Sequence, residues 1–169
     1  MSILFLLVPD GFRDEEYAVP RRILLNAGLE VTTASAAVGP LRGKKGLVTA
    51  QVDITLDKVS AADYQGLVIA GGQPTYWYDE TVLRLTREFA ADGRLVAAIC
   101  ISGLIPAQAG VLRGGEYTVF PSPDALADAR KHDAVYVDRP VVVSGNIITA
   151  RDFAAAEEFG RAIVDFFSR

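Results

Sequence analysis

Leu95-Val-Ala-Ala-Ile-Cys-Ile-Ser-Gly-Leu-Ile105 is the stretch on which the fold turns. Its first five residues are all apolar, which suits a strand covered on both faces, as in a parallel sheet. Helix is expected at once afterwards, over Ser102 to Ala109, with Gly110 as its stop. Cys100 then occupies a sharp strand-to-helix turn, a nucleophile elbow, which pushes one side chain out above the sheet. Such a turn is crowded two residues to either side, and Ala98 and Ser102 are both small there. Reactive groups in open α/β sheets gather at the carboxyl ends of strands, where Cys100 falls. A free cysteine is otherwise a small core residue; the turn favours a reactive thiol. Backbone N–H groups at a helix start favour an anion by about 0.3–1 kcal/mol, which predicts a tilt toward thiolate.

Strand and helix signals alternate on both sides of this turn. Ile3-Leu-Phe-Leu-Leu-Val8 is a second buried-strand run, ended by Pro9-Asp10-Gly11. Asp14-Glu15-Glu16 opens a helix that stops at Asn26-Ala27-Gly28. Leu29 to Ala34 alternates as a strand, and the unit calls for a right-handed crossover. Residues 37 to 56, with Gly39-Pro40, Gly43 and Gly46, predict a hairpin or meander. Gly66-Leu-Val-Ile-Ala70 is another buried strand and runs into Gly71-Gly72. A helix over Glu80 to Ala91 places Val82, Leu83, Leu85, Thr86 and Phe89 on one face. Short strands near 117–119, 135–138, 141–143 and 147–149 precede a last helix, Phe153 to Phe167. The pattern is one doubly wound α/β sheet with helices on both faces, in a single domain over 1–169.

Composition excludes several functions. The chain has 169 residues, half of them apolar and 22% charged, enough for a core without staples. It has one Cys and one His, too few for a structural zinc site, and neither metal nor other cofactor is expected. The net charge is −4 with no basic stripe, which argues against nucleic-acid binding. The longest apolar run, Ile3 to Val8, is too short to span a bilayer and lacks signal-peptide flanks, so no membrane partner is expected. An unpaired cysteine agrees with a reducing compartment, and a cytoplasmic location is expected.

Three segments together resemble the ThiJ/PfpI superfamily: Asp10-Gly-Phe-Arg-Asp-Glu-Glu16, Gly66-Leu-Val-Ile-Ala-Gly-Gly72 and Val96-Ala-Ala-Ile-Cys100. Ala109-Gly-Val-Leu-Arg-Gly114 and Val141-Val-Val-Ser-Gly-Asn146 extend the likeness in the same order over almost the whole chain. The resemblance implies a flavodoxin-like three-layer α/β/α sandwich with a mostly parallel central sheet, often a homodimer or larger. It also implies that Glu16 is the partner of Cys100. A protonated carboxyl can donate to the sulfur, whereas an ionised one would repel a thiolate, so Glu16 would need a raised pKa. The other reading of Glu16 is a helix-start acid facing water, as expected for Asp14 and Glu15. Gly71 and Gly72 would bring backbone N–H groups near the sulfur and, with the N–H of Ile101, form an oxyanion hole.

The chain departs from that pattern in ways that bear on activity. Ile101 stands where peptidase-like members carry His, and Phe120, before Pro121, where other members supply one. His132 sits in Ala129-Arg-Lys-His-Asp133, expected to be a solvated surface stretch. No Cys–His couple is in view. The loop after Gly72, Gln-Pro-Thr-Tyr-Trp-Tyr, lacks the acid that a neighbouring subunit would use, so proteolysis is disfavoured. Ser102 is expected either to add a hydroxyl to the pocket or to cap the helix. Trp77, between Tyr76 and Tyr78, is expected in the pocket wall, at a subunit interface or packed on the surface. Ile101 and Phe120 predict a dry, tight pocket. The resemblance, with these departures, implies glyoxalase- or deglycase-like, hydratase-like or lyase-like chemistry on a small electrophile through Cys100 and Glu16. The alternatives are an oxidative-stress sensor whose thiol meets an oxidant, and a degenerate member that only binds.

Overall fold

The structure, a computed structural model, describes residues 1–168. Its first crossover unit is β1 (Ser2–Leu6), α1 (Asp14–Asn26) and β2 (Glu30–Ser35). A separate antiparallel hairpin follows, β3 (Gly39–Arg42) with β4 (Thr49–Val52), then β5 (Ile54–Thr55) beside β2. β6 (Gly66–Ile69), α2 (Glu80–Ala91) and β7 (Leu95–Ile99) form the second unit, and the short α3 (Ile105–Gln108) closes the elbow. The rest is β8 (Glu116–Tyr117), α4 (Pro123–Ala129), β9 (Val135–Tyr136), β10 (Val141–Ser144), β11 (Ile147–Ala150) and α5 (Ala156–Phe167).

Seven strands form one sheet in the order β10-β11-β7-β6-β1-β2-β5, with only β10 antiparallel to its neighbour. β8 and β9 pair separately, in parallel. Helices flank the sheet, α1 packing on α5 and α2 on α3. This is the flavodoxin-like α/β fold that the resemblance implied. β1, β6 and β7 are buried on both faces, which is why they read as unbroken apolar runs. Parallel register sets Leu6 beside Ile69, and Ile69 beside Ala98. The loops after these three strands therefore gather at one edge of the sheet, and that edge carries the site. Gly160 lets α5 close on α1: a Cβ there would lie 2.8 Å from Ile23 Cδ1 and 3.1 Å from Pro20 Cα.

Three expectations need correction. The helix after Cys100 begins as a 3-10 turn, Cys100–Leu104, before the four-residue α3. Pro106 has no N–H to donate back to Ser102, so one α-helix cannot run through from Ser102. Helix α4 was not anticipated. Ser122 caps it, its Oγ accepting from Ala125 N–H at 3.2 Å, with Pro123 at the first helical position.

The third correction concerns Asp14, which faces away from water at 1% exposure. Its carboxylate accepts from the N–H groups of Lys45, Leu47 and Val48, each at 2.8 Å, and so organises the hairpin loop over α1. Burial works to raise its pKa, but the backbone bonds overcome it and hold it below the ordinary 3.8. Asp14→Ala should destabilise the protein by about 2 kcal/mol or more in urea titrations at neutral pH, because several N–H groups lose their acceptor. The folded pKa is depressed, so this stabilisation is present above about 3.8 and disappears as pH falls further. The gap between wild type and variant should therefore close in acid.

Candidate active site

Cys100 adopts φ 62°, in the left-handed region that costs a side-chain-bearing residue about 1–2 kcal/mol. The surrounding structure holds it there. Ser102 Oγ donates to Ala70 O at 2.8 Å, tying the elbow to the end of β6. Phe120 N–H donates to Cys100 O at 3.1 Å, and Trp77 Nε1–H donates to Ile101 O at 2.8 Å. A Cβ on Gly103 would lie 2.5 Å from Thr118 O, so the turn also packs closely on the segment before Phe120. Ser102, at 2% exposure, thus neither lines the cleft nor caps a helix, because its hydroxyl is spent beneath the elbow.

Glu16, in the first turn of α1, is 1% exposed and reaches the end of β6. Its Oε2 accepts from Gly71 N–H at 2.9 Å, and its carboxyl comes close enough to the Cys100 side chain that each bears on the other's ionisation. The water-facing reading is thereby overturned for Glu16. Glu15 is only partly exposed and pairs with Arg13 at 2.7 Å. Gly71 stands where acid and thiol meet: a Cβ there would lie 2.5 Å from Glu16 Oε2 and 2.7 Å from Cys100 Cβ.

Electrostatics differ from the expected tilt toward thiolate. Burial raises the Glu16 carboxyl to about 7, against the bonds from Cys100 and Gly71. Burial also pushes the half-buried Cys100 thiol up, and the neighbouring Glu16 charge adds to that. The Ile101 N–H at the sulfur works the other way without reversing it. A five-residue 3-10 turn supplies too little dipole to offset the loss of water. The thiol therefore keeps its proton through neutrality while the Glu16 carboxyl titrates there, so the pair passes from two protons to one around pH 7.

The oxyanion expectation changes in one member. Gly71 N–H is committed to Glu16 and is not free for an oxygen anion. Gly72, at φ 140°, lines the cleft, packed so tightly on the Gly11 carbonyl that a Cβ would collide with it. The Ile101 N–H acts on the sulfur only as a lowering influence on the thiol pKa.

Over these groups opens a cleft of about 440 Å³. Cys100, Glu16, Gly72, Ile101, Trp77 and Phe120 line it. The expected dry, tight pocket is met in part: the lining is largely apolar, but Arg13, Lys44, Asp124 and Asp152 add charge at its rim, where Lys44 and Asp124 are exposed. Phe120 is 44% and Phe153 47% exposed there, and the Arg13 guanidinium lies 4.2 Å over the Phe153 ring. Sequence reasoning missed these rim residues. Lys44, for example, arrives through its N–H bond to Phe12 O, a contact between distant segments that leaves no local pattern. The aromatic run divides its roles: Tyr76 is buried and donates to Leu7 O at 2.8 Å, Trp77 is half-buried in the wall, and Tyr78 is exposed. His132 is not fully solvated either, since its Nε2 lies 3.1 Å from Asp128 Oδ2, and it does not line the cleft. Among the described residues no group of three or more His, Cys, Asp or Glu could hold a metal, and no helix is long and apolar enough to cross a membrane.

A mostly parallel sheet flanked by helices, with a cysteine elbow and a buried acid at its carboxyl edge, defines a flavodoxin-like protein of the cysteine-elbow class. The sequence profile of the DJ-1/PfpI family matches residues 1–166, and the chain belongs to that family. It is 35% identical to a deglycase of Pyrococcus horikoshii, over 89% of this chain and 90% of that one. It is 31% identical to protein/nucleic acid deglycase 2 of Escherichia coli, over 86% of each chain. Among solved structures it is similar to a ThiJ/PfpI domain protein from Brachyspira murdochii, with a TM-score of 0.92 and 28% identity over 99% of this chain and 96% of the other.

Proposed function

We propose that the protein is a glyoxalase- or deglycase-like enzyme acting on small reactive carbonyls, with Cys100 as nucleophile and Glu16 as its proton partner. The observation that carries this reading is the Glu16 carboxyl, buried against the Cys100 thiol with a pKa near neutrality and no imidazole in the cleft. A general base works best when its pKa lies near the operating pH. The relatives named deglycases support the substrate class.

The sulfur attacks the aldehyde carbon and forms a C–S bond, the C=O electron pair moves to oxygen, and the thiol proton passes to the Glu16 carboxylate. Ile101 N–H and Gly72 face the developing oxygen anion. Glu16 then returns the proton to that oxygen, giving a neutral hemithioacetal. With methylglyoxal, the carboxylate next takes the proton from the sulfur-bearing carbon and delivers it to the adjacent carbon by way of an enediol, while the hydroxyl proton passes to the former ketone oxygen, which leaves a thioester of lactate. Water cleaves the thioester and restores the thiol. In a deglycase, the C–S bond forms at the carbon that carries the amine as its C–N bond breaks, and the thiol proton passes through Glu16 to the departing amine, which gives the same hemithioacetal.

The raised Cys100 pKa speaks for an enzyme over a sensor, because a sensor depends on a standing thiolate. The active form in either proton arrangement is the singly protonated pair. Methylglyoxal kcat/KM should therefore rise with unit slope as pH approaches about 7 and level off above it. Alkylation of Cys100 by iodoacetamide should follow the same curve. Absence of carbonyl turnover, or a profile flat from pH 5 to 8, would rule the proposal out.

A further inference from the structure

Tyr78 sits at φ 54°, a backbone region disfavoured for any residue with a side chain. Three contacts hold it there, one of them between its hydroxyl and His132 Nε2 at 3.3 Å. Its N–H donates to Gln108 Oε1 at 3.2 Å, and its hydroxyl donates to Asp128 Oδ1 at 2.7 Å. Gln108 Nε2 donates to Asp128 Oδ2 at 3.0 Å, so one clamp takes the residue at two points. The clamp is buried, with Gln108 8% and Asp128 6% exposed. Lys131 Nζ, 3.0 Å from Oδ1, and His132 Nε2, 3.1 Å from Oδ2, complete the carboxylate's partners. Burial opposes the Asp128 charge, but these bonds hold its pKa well below the ordinary carboxylate range. Bonds to a charged acceptor are about twice as strong as neutral ones.

The two halves of the clamp come from two elements that flank cleft residues in the chain. Gln108 ends α3, which follows the elbow, and Asp128 lies in α4, which begins after Phe120 and contains Asp124. Tyr78 is joined directly to Trp77, the cleft wall whose indole N–H caps Ile101 O. Without the clamp, Tyr78 is free to leave its strained conformation, and Trp77 must turn with it. We infer that Tyr78, Gln108 and Asp128 form a latch that positions Trp77 against the elbow and so sets how tightly the cleft holds its substrate. They are positioning residues, since none of them lines the cleft. The kinetic consequence rests on the proposed carbonyl chemistry, whereas the structural consequence does not.

Trp77 is the chain's one tryptophan, so its emission reads the latch without any activity. Tyr78→Phe removes only the hydroxyl and keeps the ring. Loss of a bond to a charged group corresponds to about a tenfold change in the closed-to-open ratio. The variant should show red-shifted emission and an acrylamide quenching constant raised about twofold, with a cooperative thermal transition retained. KM for methylglyoxal should rise about fivefold or more while kcat stays within about twofold. Gln108→Met, which removes both amide bonds at similar volume, should move emission in the same direction and serves where Tyr78→Phe fails to fold. Emission and quenching equal to wild type in both variants would overturn the latch. Changed emission with an unchanged KM in an active enzyme would overturn its role in substrate holding. Changed emission in a protein whose wild type turns over no carbonyl would support the latch and sink only the proposed reaction.

Discussion

Cys100→Ala should yield a folded protein whose consumption of methylglyoxal is indistinguishable from the buffer reaction. The expected fall in kcat/KM is on the order of 10⁴ or more, because covalent attack has no second route in this cleft. No other thiol exists in the chain, and the one imidazole lies outside the cleft. Alanine meets the same φ 62° as cysteine, so the exchange adds no backbone strain. The elbow's ties through Ser102, Phe120 and Trp77 use Ser102 Oγ and the backbone of Cys100 and Ile101, and all survive the change. Stability should thus move by about 1 kcal/mol at most, the scale of losing one small buried group. Cys100→Ser should be nearly as inactive, since a hydroxyl in the same burial gives up its proton far less readily than a thiol. Lactate formation followed by NMR measures the outcome. More than about 1% of wild-type turnover in the alanine variant would show that the sulfur is not the attacking group.

What was legible in the sequence was whatever one strand or one turn determines by itself. Five buried apolar residues running into Cys100 set both the strand and the elbow, and the two small residues around the thiol agreed with them. Asp79 and Gly93 bracket α2 as simple cap chemistry requires, with Asp79 Oδ1 accepting from Val82 N–H at 3.0 Å. The misses share a different cause. Asp14 was expected to face water and Asp128 carried no reading at all, yet their oxygens are claimed by groups from distant segments. A buried carboxylate of this kind is stable only because several donors converge on it, and convergence is a tertiary property. Gly71 was singled out correctly as a close-approach glycine, but its N–H turned out to serve Glu16. Spacing can show that a backbone must come close and cannot show which of two acceptors will take the proton. Pro106 was in plain view, and its missing N–H was the available sign that the elbow helix would begin as a tighter turn.

Glu16→Gln should cost activity and add stability together. Turnover should fall about 10²- to 10⁴-fold, the usual contribution of a positioned proton carrier, because an amide cannot take the thiol proton. Its oxygen can still accept from Gly71 N–H, so the local geometry is kept. Stability moves the other way because the folded pKa of this acid lies above its unfolded value, about 7 against 4.5. Below 4.5 both states hold the proton and Glu16 is neutral toward folding. Between 4.5 and about 7 the unfolded chain ionises first, so wild-type stability falls as pH rises. Above about 7 the loss levels off near 3 kcal/mol, discounted for any relaxation of the site. Glutamine carries no proton to lose, and its stability should stay flat over this window. Urea unfolding at pH 5, 6, 7 and 8 separates the curves: they should nearly meet at the acid end and diverge by several-tenths to a few kcal/mol toward pH 8. If the two proteins instead keep a constant gap at every pH, Glu16 is ionised in the folded state throughout. It would then have no proton to exchange with Cys100 near neutrality.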